Sequence, residues 1–92
     1  MTKLQELGIQ CLKANIEFRK YVNSEEGKTY LREKMLKEYG IEMNGSSYIM
    51  GWTSLDFSGI INGEKKYFSY DPTNDILYCG MFDAKKVEKL NP

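Results

Sequence analysis

The stretch LDFSGIINGEKKYFSY, residues 55–70, carries a hairpin signal at Asn62-Gly63. A type I′ turn needs positive φ at both central residues, and Asn followed by Gly adopts that conformation readily. With these two as the loop, Ile61 faces Glu64, Gly59 faces Lys66, Phe57 faces Phe68 and Leu55 faces Tyr70 on one side of the ribbon. The other side pairs Ile60 with Lys65, Ser58 with Tyr67 and Asp56 with Ser69. Leu55, Phe57, Ile61 and Phe68 must point to the core, because a one-residue slip would turn all of them to water.

Downstream, Asp71-Pro72-Thr73-Asn74 has the chemistry of a type I turn. Used as a four-residue loop, it sets Leu77 opposite Phe68 and Cys79 opposite Lys66, with Met81 also over the core. Tyr78 then stands beside Tyr67, and Ile76 beside Ser69, on the outward face. Asp83 as N-cap, with Phe82 stapled onto Val87, predicts a short helix over 83–90. Upstream, Asn44-Gly45 is a second hairpin dipeptide, and residues 47–53 read as a strand of open register; the sheet spans about 47–82.

The first forty residues change period. Polar residues recur at Lys3, Glu6, Gln10, Lys13, Glu17 and Lys20, one stripe at helical spacing, and Thr2 with Gln5 forms a capping box. A helix over about 2–21 follows. Its apolar rows, Leu4-Leu7-Cys11-Ala14-Phe18-Tyr21 and Ile9-Leu12-Ile16, cover more surface than one core needs. Either this helix is clamped between a second helix and the sheet, or it also meets another chain. Asn23 and Glu26 predict a second capping box, opening a helix over about 24–39 that buries Leu31, Met35, Leu36 and Tyr39 and carries a Glu33–Lys37 pair. Gly40 ends it in the left-handed conformation, with Ile41 closing a Schellman stop. The expected fold is α+β: a single domain over 1–92, in which a two-helix hairpin packs on a three- or four-stranded antiparallel meander, with a short C-terminal helix.

Composition narrows function by exclusion. Lys plus Arg and Asp plus Glu number 13 each, and residues 1–46 carry eight basic and seven acidic side chains against five and six in 47–92. Duplex nucleic acid is bound through clustered Lys and Arg, which this distribution lacks. The two cysteines, Cys11 and Cys79, lie far apart and read as reduced and packed, which with the lack of a signal pattern or long apolar run points to the cytoplasm and away from membranes. There is no histidine. That removes the usual neutral-pH acid/base, the commonest zinc ligand and every Ser-His or Cys-His nucleophile pair.

No catalytic or metal constellation and no cofactor site is expected. Asp71 and Asp75 flank one turn and could hold a hard cation, but aspartates are ordinary turn formers. The glycines stand in hairpin patterns without a phosphate-loop context; Gly59 and Gly80 mark bulges or close backbone approaches. What stands out is the outward sheet face: Ile60, Lys65, Tyr67, Ile76 and Tyr78, with Asp56 and Ser58. An open antiparallel sheet normally gives such positions to polar side chains. Aromatic residues rimmed by lysine suit an interface with another protein, including a second copy of the chain. They also suit stacking of a nucleotide or single-stranded nucleic acid, which the neutral charge disfavours. Burial of this face under the third helix is the plain structural alternative. The expectation is therefore a non-enzymatic protein-binding domain, an inhibitor or adaptor. The bias towards Lys, Ile, Tyr and Asn suggests a low-GC bacterium or its phage, hence an inhibitor of a host system.

Overall fold

A computed structural model of the chain describes residues 1–90. Its elements run α1 (Lys3–Asn23), α2 (Glu25–Tyr39), β1 (Glu42–Met43), β2 (Tyr48–Met50), β3 (Ser54–Ile61), β4 (Glu64–Asp71), β5 (Ile76–Cys79) and β6 (Lys85–Lys86). The class is α+β, with two helices preceding an antiparallel sheet ordered β1-β3-β4-β5-β6, and β2 pairing the same edge of β3 as β1. The sheet is larger than the three or four strands expected. Two short edge pieces, β1 and β6, complete it.

All seven β3–β4 pairs follow the register set by Asn62-Gly63, from Leu55↔Tyr70 to Ile61↔Glu64. The β4–β5 register differs. Phe68 faces Cys79, Ser69 faces Tyr78 and Asp71 faces Ile76, so the loop is 72–75. Asp71 ends its strand and accepts the Thr73 N–H (3.0 Å) through its side chain, while Asp75 takes the left-handed conformation (φ 54°) that the last loop position demands. The shift amounts to two residues, so Leu77 still points inward and Tyr78 outward, but Tyr78 lies diagonal to Tyr67 rather than opposite it.

Three expectations fail at the ends of the sheet. Asn44-Gly45 is not a hairpin. β1 and β2 form one interrupted edge strand, in which residues 44–47 oppose only Phe57 and Ser58, and the Asn44 N–H bonds Ser58 O at 2.9 Å. This is a bulge with two extra residues. The C-terminal helix is absent from the described residues: Lys85 and Lys86 pair with Cys79 and Tyr78, Val87 N–H bonds Leu77 O (2.8 Å), and Leu90 N–H bonds Glu38 O (2.8 Å). So short a helix is marginal on its own, whereas the open edge of β5 offers unpaired backbone groups to the same segment. Gly80, at φ 116°, turns the chain off the sheet, which leaves Met81 and Phe82 exposed rather than over the core or stapled to Val87.

The core lies between α2 and the inner sheet face: Leu31, Met35, Tyr39 and Ile41 against Leu55, Phe57, Phe68, Tyr70 and Leu77, with Val22 from α1. Phe57 and Phe68 stack at 5.4 Å between ring centroids. The Gly40 stop forms as expected, in the left-handed region (φ 69°), with Ile41 N–H bonding Met35 O at 3.1 Å. Ile41 enters the core, while Leu36 stays exposed. The break between the helices is Ser24 alone, which caps both: its N–H bonds Tyr21 O, and its hydroxyl accepts the Gly27 N–H at 3.0 Å. Asn23 belongs to α1, so the second capping box does not form.

Helix α1 is not clamped. Every residue from Met1 to Ala14 is exposed, Cys11 included; only Asn15 and Val22 of α1 are buried. Asn15 Nδ2 donates to Trp52 O (3.0 Å), and its Oδ1 accepts from Arg19 Nε (2.8 Å). The molecule measures 54 × 30 × 23 Å, with a radius of gyration of 15.1 Å. A compact chain of this length would have about 12 Å.

Candidate functional site

The outward sheet face is built by alternation. With Leu55, Phe57, Phe68, Tyr70 and Leu77 drawn to the core, their neighbours must face away. Register then aligns one row across five strands: Tyr48, Asp56, Ser69, Tyr78 and Lys86. Ser58 and Tyr67 form the adjacent pair, and Ile60 with Lys65 the next.

This face is open, since no helix among the described residues covers it. It holds a shallow trough of about 970 Å³ with Asp56, Ser58, Tyr67, Ser69 and Tyr78 as its floor. The bulge, at 44–46, and Tyr48 wall one side; Gly80, Met81 and Ala84 wall the other. A smaller hollow of about 590 Å³ continues past Asp56, Ser69 and Tyr78 towards Trp52 and Asp71. Tyr67 and Tyr48 are well exposed, at 58% and 74%, while Tyr78, Asp56 and Ser58 are half-buried.

Of the residues singled out from the sequence, Asp56, Ser58, Tyr67 and Tyr78 meet in the trough. Ile60, Lys65 and Ile76 share the face but lie outside its lining. Tyr48 and the bulge were missed. Their signal was the alternation of 48–50, which could not be used while the register of that strand was open. Asp56 has a property invisible in the sequence: among the described residues it joins no ion pair and no side-chain hydrogen bond.

The two turn aspartates do separate work. Asp71 accepts from Asn74 and Thr73 and so shapes its own turn, which holds its carboxyl below the usual range. Asp75 reaches the other way, to Tyr70 OH (2.7 Å), Lys89 (2.6 Å) and Lys34 (3.2 Å). Lys34 and Lys89 also pair with Glu38, the latter at 3.1 Å. Bonds from Lys89 and Tyr70 hold Asp75 well below the carboxylate range, and the bond from Lys34 lowers Glu38 from its ordinary value. Burial, reinforced by Asp75, pushes the Tyr70 hydroxyl up. The cluster ties α2, the β4–β5 loop and the C-terminal segment together and is structural. Cys79, half-buried, faces Phe68 on β4 rather than Lys66.

Comparison with family models, with curated proteins and with solved structures finds no match.

Proposed function

We propose that the protein is a protein-binding domain, an inhibitor or adaptor, whose trough seats a basic side chain of its partner. The observation that carries this reading is the half-buried, unpaired Asp56 set among Tyr48, Tyr67 and Tyr78. A carboxylate held partly out of water without a cation is an incomplete site. Tyrosine faces around it attract a guanidinium or ammonium through their ring quadrupoles, and tyrosine is a frequent anchor of interfaces. A nucleotide or single strand could stack on the same rings, but its phosphates would meet the Asp56 charge.

A random peptide display library selected on the purified protein tests this. Enrichment of Arg- or Lys-containing peptides, with binding lost in Tyr67→Ala and weakened at least about tenfold in Asp56→Asn, is the expected result. Peptides without basic enrichment, binding indifferent to both substitutions, or salt-sensitive quenching of tyrosine fluorescence by oligonucleotides would reject it.

A further inference from the structure

The proposed binding function leaves α1 unexplained. No residue of its first three turns belongs to the core, yet they carry Leu4 (81% exposed), Leu7 (47%), Ile9 (41%) and Leu12 (56%), followed by Ile16 (45%). A helical segment of this length has little stability in water without packing. The side bearing Leu4, Gly8, Leu12 and Ile16, one row at i,i+4 spacing, contains no charge from Lys3 to Glu17; Arg19 follows beyond its end, bonded to Asn15, and Lys3, Glu6, Lys13, Glu17 and Lys20 gather on the opposite side. Gly8 stands in the middle of this row. Glycine inside a helix costs about 1 kcal/mol relative to alanine, and a Cβ at Gly8 would meet nothing within 4 Å in its own chain. Neither crowding nor backbone conformation within the chain calls for glycine there; close approach by another helix would.

We infer that the covering partner is a second copy of this chain, its α1 packed antiparallel on the first across a two-fold axis. The row is self-complementary. An axis level with Gln10 sets Gly8 beside the partner's Leu12 and Leu4 beside the partner's Ile16, each pair occurring twice. A small residue thus meets a large one at the centre, and branched side chains meet at the ends. The exposed apolar surface of Met1, Leu4, Leu7, Ile9, Leu12 and Ile16 is on the order of 600 Å² per chain, so a two-fold pair can bury at most about 1,200 Å², which just reaches the lower end of the range for stable specific interfaces. The charged stripe stays in water on the outer side of the pair.

Sedimentation equilibrium of the full chain across micromolar concentrations, with hydrogen exchange of the α1 amides, tests the pairing. The wild type is expected to sediment at twice the chain mass, with slow exchange over 4–14 that quickens on dilution. Leu12→Glu, which places a charge at the centre twice, and Gly8→Leu, which fits the free chain but blocks the approach, should each weaken association at least about 30-fold. Lys13→Glu, on the polar side, should dimerise as the wild type does. Near-ultraviolet circular dichroism, reporting the Phe57, Phe68 and Tyr70 core, should be the same in all four proteins and excludes misfolding as the cause. A wild type that stays monomeric, or either Leu12→Glu or Gly8→Leu dimerising as tightly as the wild type, overturns the inference.

Discussion

At Gly27 a Cβ would lie 1.9 Å from Tyr21 O, the carbonyl that Ser24 caps. That contact is with backbone, so no side-chain rotation can relieve it. Gly27→Ala gains about 1 kcal/mol of helix propensity but must pry the α1–α2 junction apart. A net loss of about 2 kcal/mol is expected, read as a lower urea midpoint at unchanged m. Gly59 poses the same problem in the sheet, since its Cβ would sit 2.6 Å from Ile41 Cγ2, on a fully buried side chain. The close approach at Gly59 was legible from a lone glycine inside a strand pattern. Gly27 was not, because its constraint comes from a carbonyl six residues earlier that is close only once Ser24 breaks the helix. The unpaired state of Asp56 was likewise illegible, being a property of everything around it.

Elements defined by local chemistry are readable from the residues themselves: the Asn62-Gly63 hairpin, the Gly40 stop and the Thr2–Gln5 box. Those decided by competition are not. Residues 83–90 carry a helix signal, but the edge of β5 and the carbonyl of Glu38 draw their backbone groups away. The Lys34–Glu38–Asp75–Lys89 cluster that fastens this segment gives a pH dependence with a definite sign. Asp75 and Glu38 titrate below their unfolded values, so near and below pH ~4 the unfolded chain binds more protons. The stability they supply is full above that range and is lost as pH falls through their folded values. Lys34, against the opposing effect of burial, is held above its ordinary value by Glu38 and Asp75, and Lys89 is held up chiefly by Asp75. Their contribution is full below about pH 10 and fades as pH rises further. Thermal melts between pH 5 and pH 2 should therefore show a falling midpoint in the wild type and a shallower fall in Asp75→Asn.

On the scale of the whole molecule, α2 and the sheet form a packed body from which α1 projects. At concentrations where the full chain is monomeric, a chain lacking residues 1–11 should keep its sheet spectrum and most of its stability, because no residue of that segment belongs to the core; circular dichroism melts of the two chains compare them directly. The trough belongs to the packed body and is independent of the projecting helix. Its most changeable wall is the interruption between β1 and β2, where 44–47 face two residues of β3. Because the pairs Tyr48↔Asp56 and Ile49↔Leu55 fix which side chains of β2 face the trough, a change of length within 44–47 is taken up by the interruption and leaves Tyr48 outward and Ile49 inward. Segment 44–47 therefore behaves as an exchangeable cassette: one wall of the trough can be rewritten there while the hydrophobic side of the sheet is left as it was.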